Sequence, residues 1–159
     1  GAVYRRKGLG SNMEIRQLSA QWLAGDEDLS QPFAIRLRVF CDEQGYAPDM
    51  ELDDTDKRAR HLLLSADGIP VGTGRLYWKT KDTVALGRIA VLKDYRGCHL
   101  GQRIVEEMVA ETCRMGAKRA ELDAQCRAAG FYRKLGFSIC GPQHMDGHAP
   151  HILMEKFLP

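Results

Sequence analysis

Apolar positions recur along the chain with two periods, and the elements follow from them. Met13 to Leu18 reads as a short strand, and a polar stretch follows through Asp26 and Asp28. Phe33, Leu37 and Phe40 recur at i, i+4 and i+7, which predicts a helix from about Pro32 to Gln44. Ser30 stands where its cap belongs. Gly45 to Lys57 is acidic and irregular. His61 to Ser65 and Val71 to Trp78 flank an Asp67-Gly68 turn and read as a hairpin. Thr83 to Leu92 is almost wholly apolar and rich in β-branched and aliphatic residues, as in a strand covered on both faces. Gly87 interrupts it, which predicts a bulge or a close approach to the backbone. Leu100, Ile104, Val105, Met108 and Val109 form one helical stripe, and Gly116 stops it. Ala120 to Ala124 is a strand, Ala128 to Leu135 a short helix, and Phe137 to Cys140 and His151 to Phe157 are two further strands.

Strand, helix, strand from Thr83 to Ala124 makes a crossover, so part of the sheet must be parallel. The hairpin makes another part antiparallel. The expectation is a single α/β domain with a mixed, mostly antiparallel sheet of about six to seven strands and about four helices. The length of 159 residues suits one domain. Residues 1–12 carry three clustered basic residues, three glycines and little periodicity. They read as an expression remnant or flexible arm, with Met13 as the natural start and 13–159 as the folded domain.

Charge and composition change this picture little. With 23 basic and 21 acidic residues, the net charge of +2 argues for neither nucleic acid nor an anionic membrane as partner. No apolar run approaches the roughly 20 residues of a membrane helix, and no signal-peptide pattern opens the chain, so a cytoplasmic location is expected. The cysteines 41, 98, 113, 126 and 140 form no CxxC pair, which argues against a metal site.

The chemistry concentrates in the turn from the buried strand into the long helix, Arg96-Gly97-Cys98-His99-Leu100-Gly101. The first turn of a helix has unpartnered N–H groups, and the helix dipole adds partial positive charge. Such a turn suits a phosphate or pyrophosphate. Gly97 and Gly101 let the backbone approach it, and Arg96 adds a formal charge. It is neither a Walker loop nor a dinucleotide fingerprint.

The segment resembles the Gln/Arg-x-x-Gly-x-Gly/Ala signature of the GCN5-related N-acetyltransferases. Arg96 fits the first position and Gly101 the last, while His99 stands where the middle glycine is usual. A β-carbon at His99 is tolerable if that residue is already helical. Leu86-Gly-Arg-Ile-Ala-Val-Leu92 is similar to the family's central strand. Ala128-Ala-Gly-Phe-Tyr-Arg-Lys-Leu-Gly-Phe137 is similar to its Ala-x-x-Phe-Tyr-x-x-x-Gly-Phe segment. Gln125 stands where the family often has Asn. Arg38-Val-Phe-Cys-Asp-Glu-Gln44 and Pro150-His-Ile-Leu-Met154 further resemble a bacterial ElaA-like or YjcF-like branch.

The resemblance implies the acyl-CoA N-acyltransferase fold and transfer of an acetyl group from acetyl-CoA to a primary amine. It implies that the amides of Gly97, Cys98, His99, Leu100 and Gly101, with Arg96, hold the pyrophosphate. Ile89, Ala90 and Val91 would pair with the pantetheine arm, and Gln125 would lie beside it. Tyr132 matches the position of the acid that protonates the leaving sulfur. Its phenol, with an ordinary pKa near 10, is protonated at neutral pH. Glu43 is a candidate base. Asp49, Glu51, Asp53, Asp54 and Asp56 lie on the acidic loop that borders the acceptor side in this fold; of these, Asp53 and Asp54 are candidate acceptor contacts. His151 is a further candidate at the acceptor, and His61 or His151 could serve as base. No metal is expected. The acceptor is read as a small-molecule or peptide amine, and a homodimer is open. The rival readings are a non-catalytic acyl-CoA-binding sensor or regulatory module and a hydrolase using Cys126 or Cys98.

Overall fold

The computed structural model describes Tyr4–Arg5 and residues 13–159. Of the first twelve residues, Tyr4–Arg5 (β1) pair antiparallel with Glu14–Ile15 (β2); the reading of the others lies outside the described residues. Leu18–Ala24 forms β3, an element that alternation did not predict, because Ser19, Ala20 and Gln21 are all exposed on this edge strand.

The expected first helix comes in two pieces. Ser30–Arg36 (α1) is regular, and Leu37–Glu43 continues as a widened π-helical stretch. Its buried positions are Pro32, Ile35, Arg36 and Val39, and the Phe33, Leu37 and Phe40 stripe is only half-buried. Ile35 and Val39 pack on Leu63 and Ala90, which fixes the helix face. Pro48–Glu51 (α2) and a short 3-10 turn, Asp54–Arg58, order the acidic loop.

Arg60–Ala66 (β4), Ile69–Trp78 (β5), Thr83–Val91 (β6), Arg119–Gln125 (β7), Ser138–Asp146 (β8) and Ala149–Phe157 (β9) complete the sheet. Its order is β3-β4-β5-β6-β7-β9-β8, seven strands in all, with β6 and β7 parallel and the other neighbours antiparallel. Leu100–Arg114 (α3) is the crossover between β6 and β7, and Ala129–Lys134 (α4) leads into β8.

The stripe on α3 is the core side. Leu100, Ile104, Val105 and Met108 are buried against Leu62, Leu64, Val71 and Leu76. Gly72 and Gly74 on β5 let the helix settle close. A β-carbon at Gly72 would stand 2.7 Å from Ile104 Cδ1, and one at Gly74 2.5 Å from Met108 Sδ. No helix among the described residues is long and apolar enough to cross a membrane.

Candidate active site

The site begins with a ladder that stops. The parallel β6–β7 pairing runs only from Thr83–Arg119 to Leu86–Leu122. Beyond it β6 stays with β5, Ala90 opposite Thr73 and Val91 opposite Gly72. β7 stays with β9 as far as Gln125 opposite His151. The two central strands therefore diverge, and the edge of Gly87–Val91 that faces β7 carries no ladder pairing. Unpaired strand groups need partners, and an extended amide chain is the ligand shape that supplies them.

The divergence starts at a bulge. The β5–β6 register shifts between Thr73 and Arg75, and Arg88 takes a left-handed backbone at φ +49°. The expectation of a bulge near Gly87 is thus met one residue later. The bulge aims Arg88 at the acidic loop. Its guanidinium reaches the Glu51 and Asp53 carboxylates, each at 3.2 Å.

A cleft of about 470 Å3 opens in the divergence. Gly87, Arg88 and Ile89 form one wall, and Leu122 to Gln125 the other. Tyr132, Glu51, Tyr46, Asp146 and His151 close around it. Tyr132 packs edge-on against Phe137, with ring centroids 6.0 Å apart. Burial pushes its phenol up to about 12, so it holds its proton throughout the neutral range. Gln125 donates to Gln44 Oε1 at 2.8 Å, which ties β7 to the segment after the π-helix. Tyr46 donates to the Asp146 carbonyl at 3.2 Å and stacks on His148, 4.6 Å between centroids, so the β8–β9 turn straps one end of the cleft.

The loop before α3 has the form expected of an anion cradle. Gly97 is left-handed at φ +81°, and α3 begins at Leu100 with no side chain capping it. His99 is also left-handed, at φ +61° and ψ 24°. The expectation that it is already helical is corrected here. A left-handed residue is where glycine costs least, and histidine is among the side chains that tolerate it.

The structure brings Ile89, Gln125, Tyr132 and His151 to the cleft. It does not bring Glu43 there. That carboxylate is held by Arg96 in a bidentate pair, 2.8 and 2.9 Å. Asp53 and Asp54 also lie outside. Asp53 caps the 3-10 turn and accepts from Arg75 at 2.7 Å, while Asp54 is exposed beside Lys57. His61 is fully buried and bonds the Asp56 carbonyl through Nε2 at 2.9 Å. Cys98 is buried in the core.

Of the acidic loop, Glu51 is the residue that faces the cleft. Burial pushes its carboxyl up, against the pull of Arg88 and Arg36. The charged frame behind it was not legible in the sequence. Arg36 and Arg75, both buried, converge on the Asp56 carboxylate at 2.8 and 3.0 Å. Burial raises Asp56, but its bonds to Arg36 and Arg75 outweigh that and hold it below the usual carboxylate range. Asp146 was missed as well. The Asp146-Gly147 pair was its signal, a turn dipeptide that makes β8–β9 a hairpin.

Central parallel strands that splay, a glycine-rich turn into the crossover helix and a half-buried tyrosine beside the gap define the acyl-CoA N-acyltransferase class of α/β proteins. The comparisons agree. The Acetyltransferase (GNAT) domain matches residues 57–139. YyaT of Bacillus subtilis is 37% identical over 91% of this chain and 95% of its own length. YjcF of the same organism, described as an N-acetyltransferase, is 32% identical over 82% and 94%. Escherichia coli ElaA superposes with a TM-score of 0.80 at 24% identity, covering 88% of this chain and 99% of that one. The chain belongs to the GCN5-related N-acetyltransferase family, with YjcF among its relatives, and is an acyl-CoA-dependent N-acetyltransferase.

Proposed function

We propose that the protein moves the acetyl group of acetyl-CoA to a primary amine in the cleft between β6 and β7, with Tyr132 as the acid that protonates the departing sulfur. The observation that carries this reading is the divergence of β6 from β7 beside Tyr132. The edge of Ile89, Ala90 and Val91 that faces β7, which carries no ladder pairing, fits the pantetheine amides, with the Val91 carbonyl taking a hydrogen bond from Arg96 Nε at 3.0 Å. The amides of Gly97 to Gly101, at the start of α3, fit the pyrophosphate. Arg96, which pairs with Glu43 and donates to the Val91 carbonyl, would supply a positive charge to that phosphate. Gln125 borders the thioester end.

Attack of a neutral amine on the thioester carbonyl forms the N–C bond and places negative charge on oxygen. An N–H of the β6 edge near Ile89 to Val91 stabilises that charge. The C–S bond then breaks, and the thiolate takes the Tyr132 proton. Alkyl thiols have a pKa near 8.5, well below this phenol, so the transfer is uphill in the ground state. It is drawn forward because the cationic nitrogen of the addition intermediate is a far stronger acid than the phenol and returns a proton to the phenolate.

Four carboxylates border the cleft: Glu51, Glu121, Asp123 and Asp146. Lys79 engages Glu121, and Arg88 engages Glu51. Asp123 and Asp146 have the imidazoles of His144 and His151 as neighbours instead of a lysine or arginine. A cationic acceptor fits this end of the cleft, and it replaces the earlier assignment of acceptor binding to Asp53 and Asp54.

Tyr132→Phe tests the acid. The ring and its packing on Phe137 remain, so CoA affinity by calorimetry should stay within a few fold. Turnover should fall about 10²–10⁴-fold, the worth of a positioned acid. Unchanged turnover removes Tyr132 from the mechanism. Lost CoA binding makes it a cofactor contact instead.

A further inference from the structure

An amine acceptor enters water-borne as ammonium and must lose a proton before it can attack. A primary alkyl ammonium has a pKa near 10.4, so about one in a thousand is neutral at pH 7. One side chain in the cleft is arranged to take that proton.

His151 lies near the start of β9, opposite Gln125 of β7 on one side and His144 of β8 on the other. Its side chain is 9% exposed and lines the cleft. Nδ1 stands 3.0 Å from the Ala149 carbonyl oxygen. A carbonyl has no proton to give, so Nδ1 must carry hydrogen and donate it. In the neutral ring the lone pair is then on Nε2. Among the described residues nothing hydrogen-bonds Nε2. Its nearest charged neighbour is Asp146, whose Oδ2 is 3.9 Å away. That separation is too long to occupy the lone pair and short enough to stabilise an imidazolium.

The surrounding charges favour the same role. Asp146 and Glu51 both push the Tyr46 phenol up, behind burial as the larger cause, so the two carboxylates converge on this end of the cleft. An ammonium drawn to Asp146 lies beside Nε2. His144 bonds Asp123 at 2.9 Å, and Glu51 pairs with Arg88.

We infer that His151 is the general base of the transfer, its tautomer set by the Ala149 carbonyl and its cation stabilised by Asp146. The inference rests on the N-acetyltransferase reading above. The ammonium gives one proton to Nε2, leaving neutral amine and imidazolium. The amine lone pair forms the N–C bond, and the C–S bond breaks. Tyr132 protonates the sulfur and recovers a proton from the acetylated nitrogen. The products are the N-acetylamine and CoA thiol, and the proton on His151 leaves to solvent.

The test measures acetyl transfer from acetyl-CoA to a panel of primary alkylamines and amino acids across pH in wild type, His151→Gln, His144→Gln and Asp146→Asn. CoA affinity is followed by calorimetry, and ring nitrogens by NMR. His151→Gln should lose about 10²–10⁴ in kcat with CoA affinity within a few fold. Wild type should lose activity towards acid, as a reaction that needs a free base does. That limb should vanish in His151→Gln and persist in His144→Gln, and Asp146→Asn should lower kcat, because the imidazolium has lost its carboxylate. The neutral His151 ring should carry hydrogen on Nδ1. A His151→Gln enzyme with wild-type turnover and pH profile, or a ring with hydrogen on Nε2, overturns the inference while wild-type transfer keeps the enzyme reading intact. A wild-type protein that acetylates no amine overturns both.

Discussion

Tyr132 and His99 show how far single positions can be read from sequence. Tyr132 was singled out through the resemblance of Ala128 to Phe137 to a family segment, and it sits within α4 on the lining of the cleft. His99 was legible as a departure, but its backbone was not. Only the structure shows it left-handed, with φ +61°. Left-handed backbone costs an ordinary side chain roughly 1–2 kcal/mol, and glycine avoids that cost while gaining freedom in the unfolded chain. His99→Gly should therefore leave stability unchanged or raise it by up to about 1 kcal/mol, with CoA affinity the same or tighter. His99→Val should be destabilising by about 1–3 kcal/mol, since a β-branched residue suits this conformation least. Thermal melts of the two variants check the sign. A stable His99→Val with a weakened His99→Gly would mean that the imidazole itself carries the loop.

At the scale of elements, the strand and helix order followed from periodicity, and the charged frame did not. Long-range pairs such as Arg36 with Asp56 leave no local pattern, because partners 20 residues apart are brought together only by the fold. The same holds for Glu43 with Arg96, 53 residues apart. That pair makes Glu43 a competitor for the arginine. Glu43→Gln should keep turnover within a few fold and tighten CoA about 2- to 5-fold, because a neutral amide releases Arg96 to the pyrophosphate. A loss of turnover of 10²-fold or more at unchanged CoA affinity would restore Glu43 as the base.

The buried Arg36–Asp56–Arg75 cluster sets a pH dependence. Asp56 has a folded pKa held below its unfolded value. Its contribution to stability is therefore complete above the unfolded value, near 3.9, and is lost as pH falls through the folded one. Unfolding free energy should drop on acidification below about pH 4, and the drop should be shallower in Asp56→Asn. Arg36→Ala, which leaves the buried Asp56 carboxylate to Arg75 alone, should cost about 3–5 kcal/mol at neutral pH. A pH profile identical in Asp56→Asn would place the acid sensitivity elsewhere.

For the whole molecule, the sequence predicted a mixed sheet with one parallel crossover, and the seven-stranded order contains it between β6 and β7. What sequence could not show is where that pairing ends. Pairing length depends on the bulge at Arg88 and on the strap from Tyr46 to the β8–β9 turn, both tertiary features. A ligand that fills the gap should stabilise the fold. CoA at about 100 times its dissociation constant should add about 2.7 kcal/mol, which for a domain this size raises Tm by roughly 5–10 °C. The shift should shrink in Gly101→Asp, which adds a negative charge to the turn proposed to hold the phosphates.

The central claim is transfer of an acetyl group to an amine within that gap. It is tested most directly by following free CoA thiol and N-acetylated product together, with acetyl-CoA and the primary-amine panel. The account predicts amine-dependent thiol release with one acetylated amine formed per thiol. Thiol release that no amine accelerates, from a protein that nevertheless binds CoA, would contradict it.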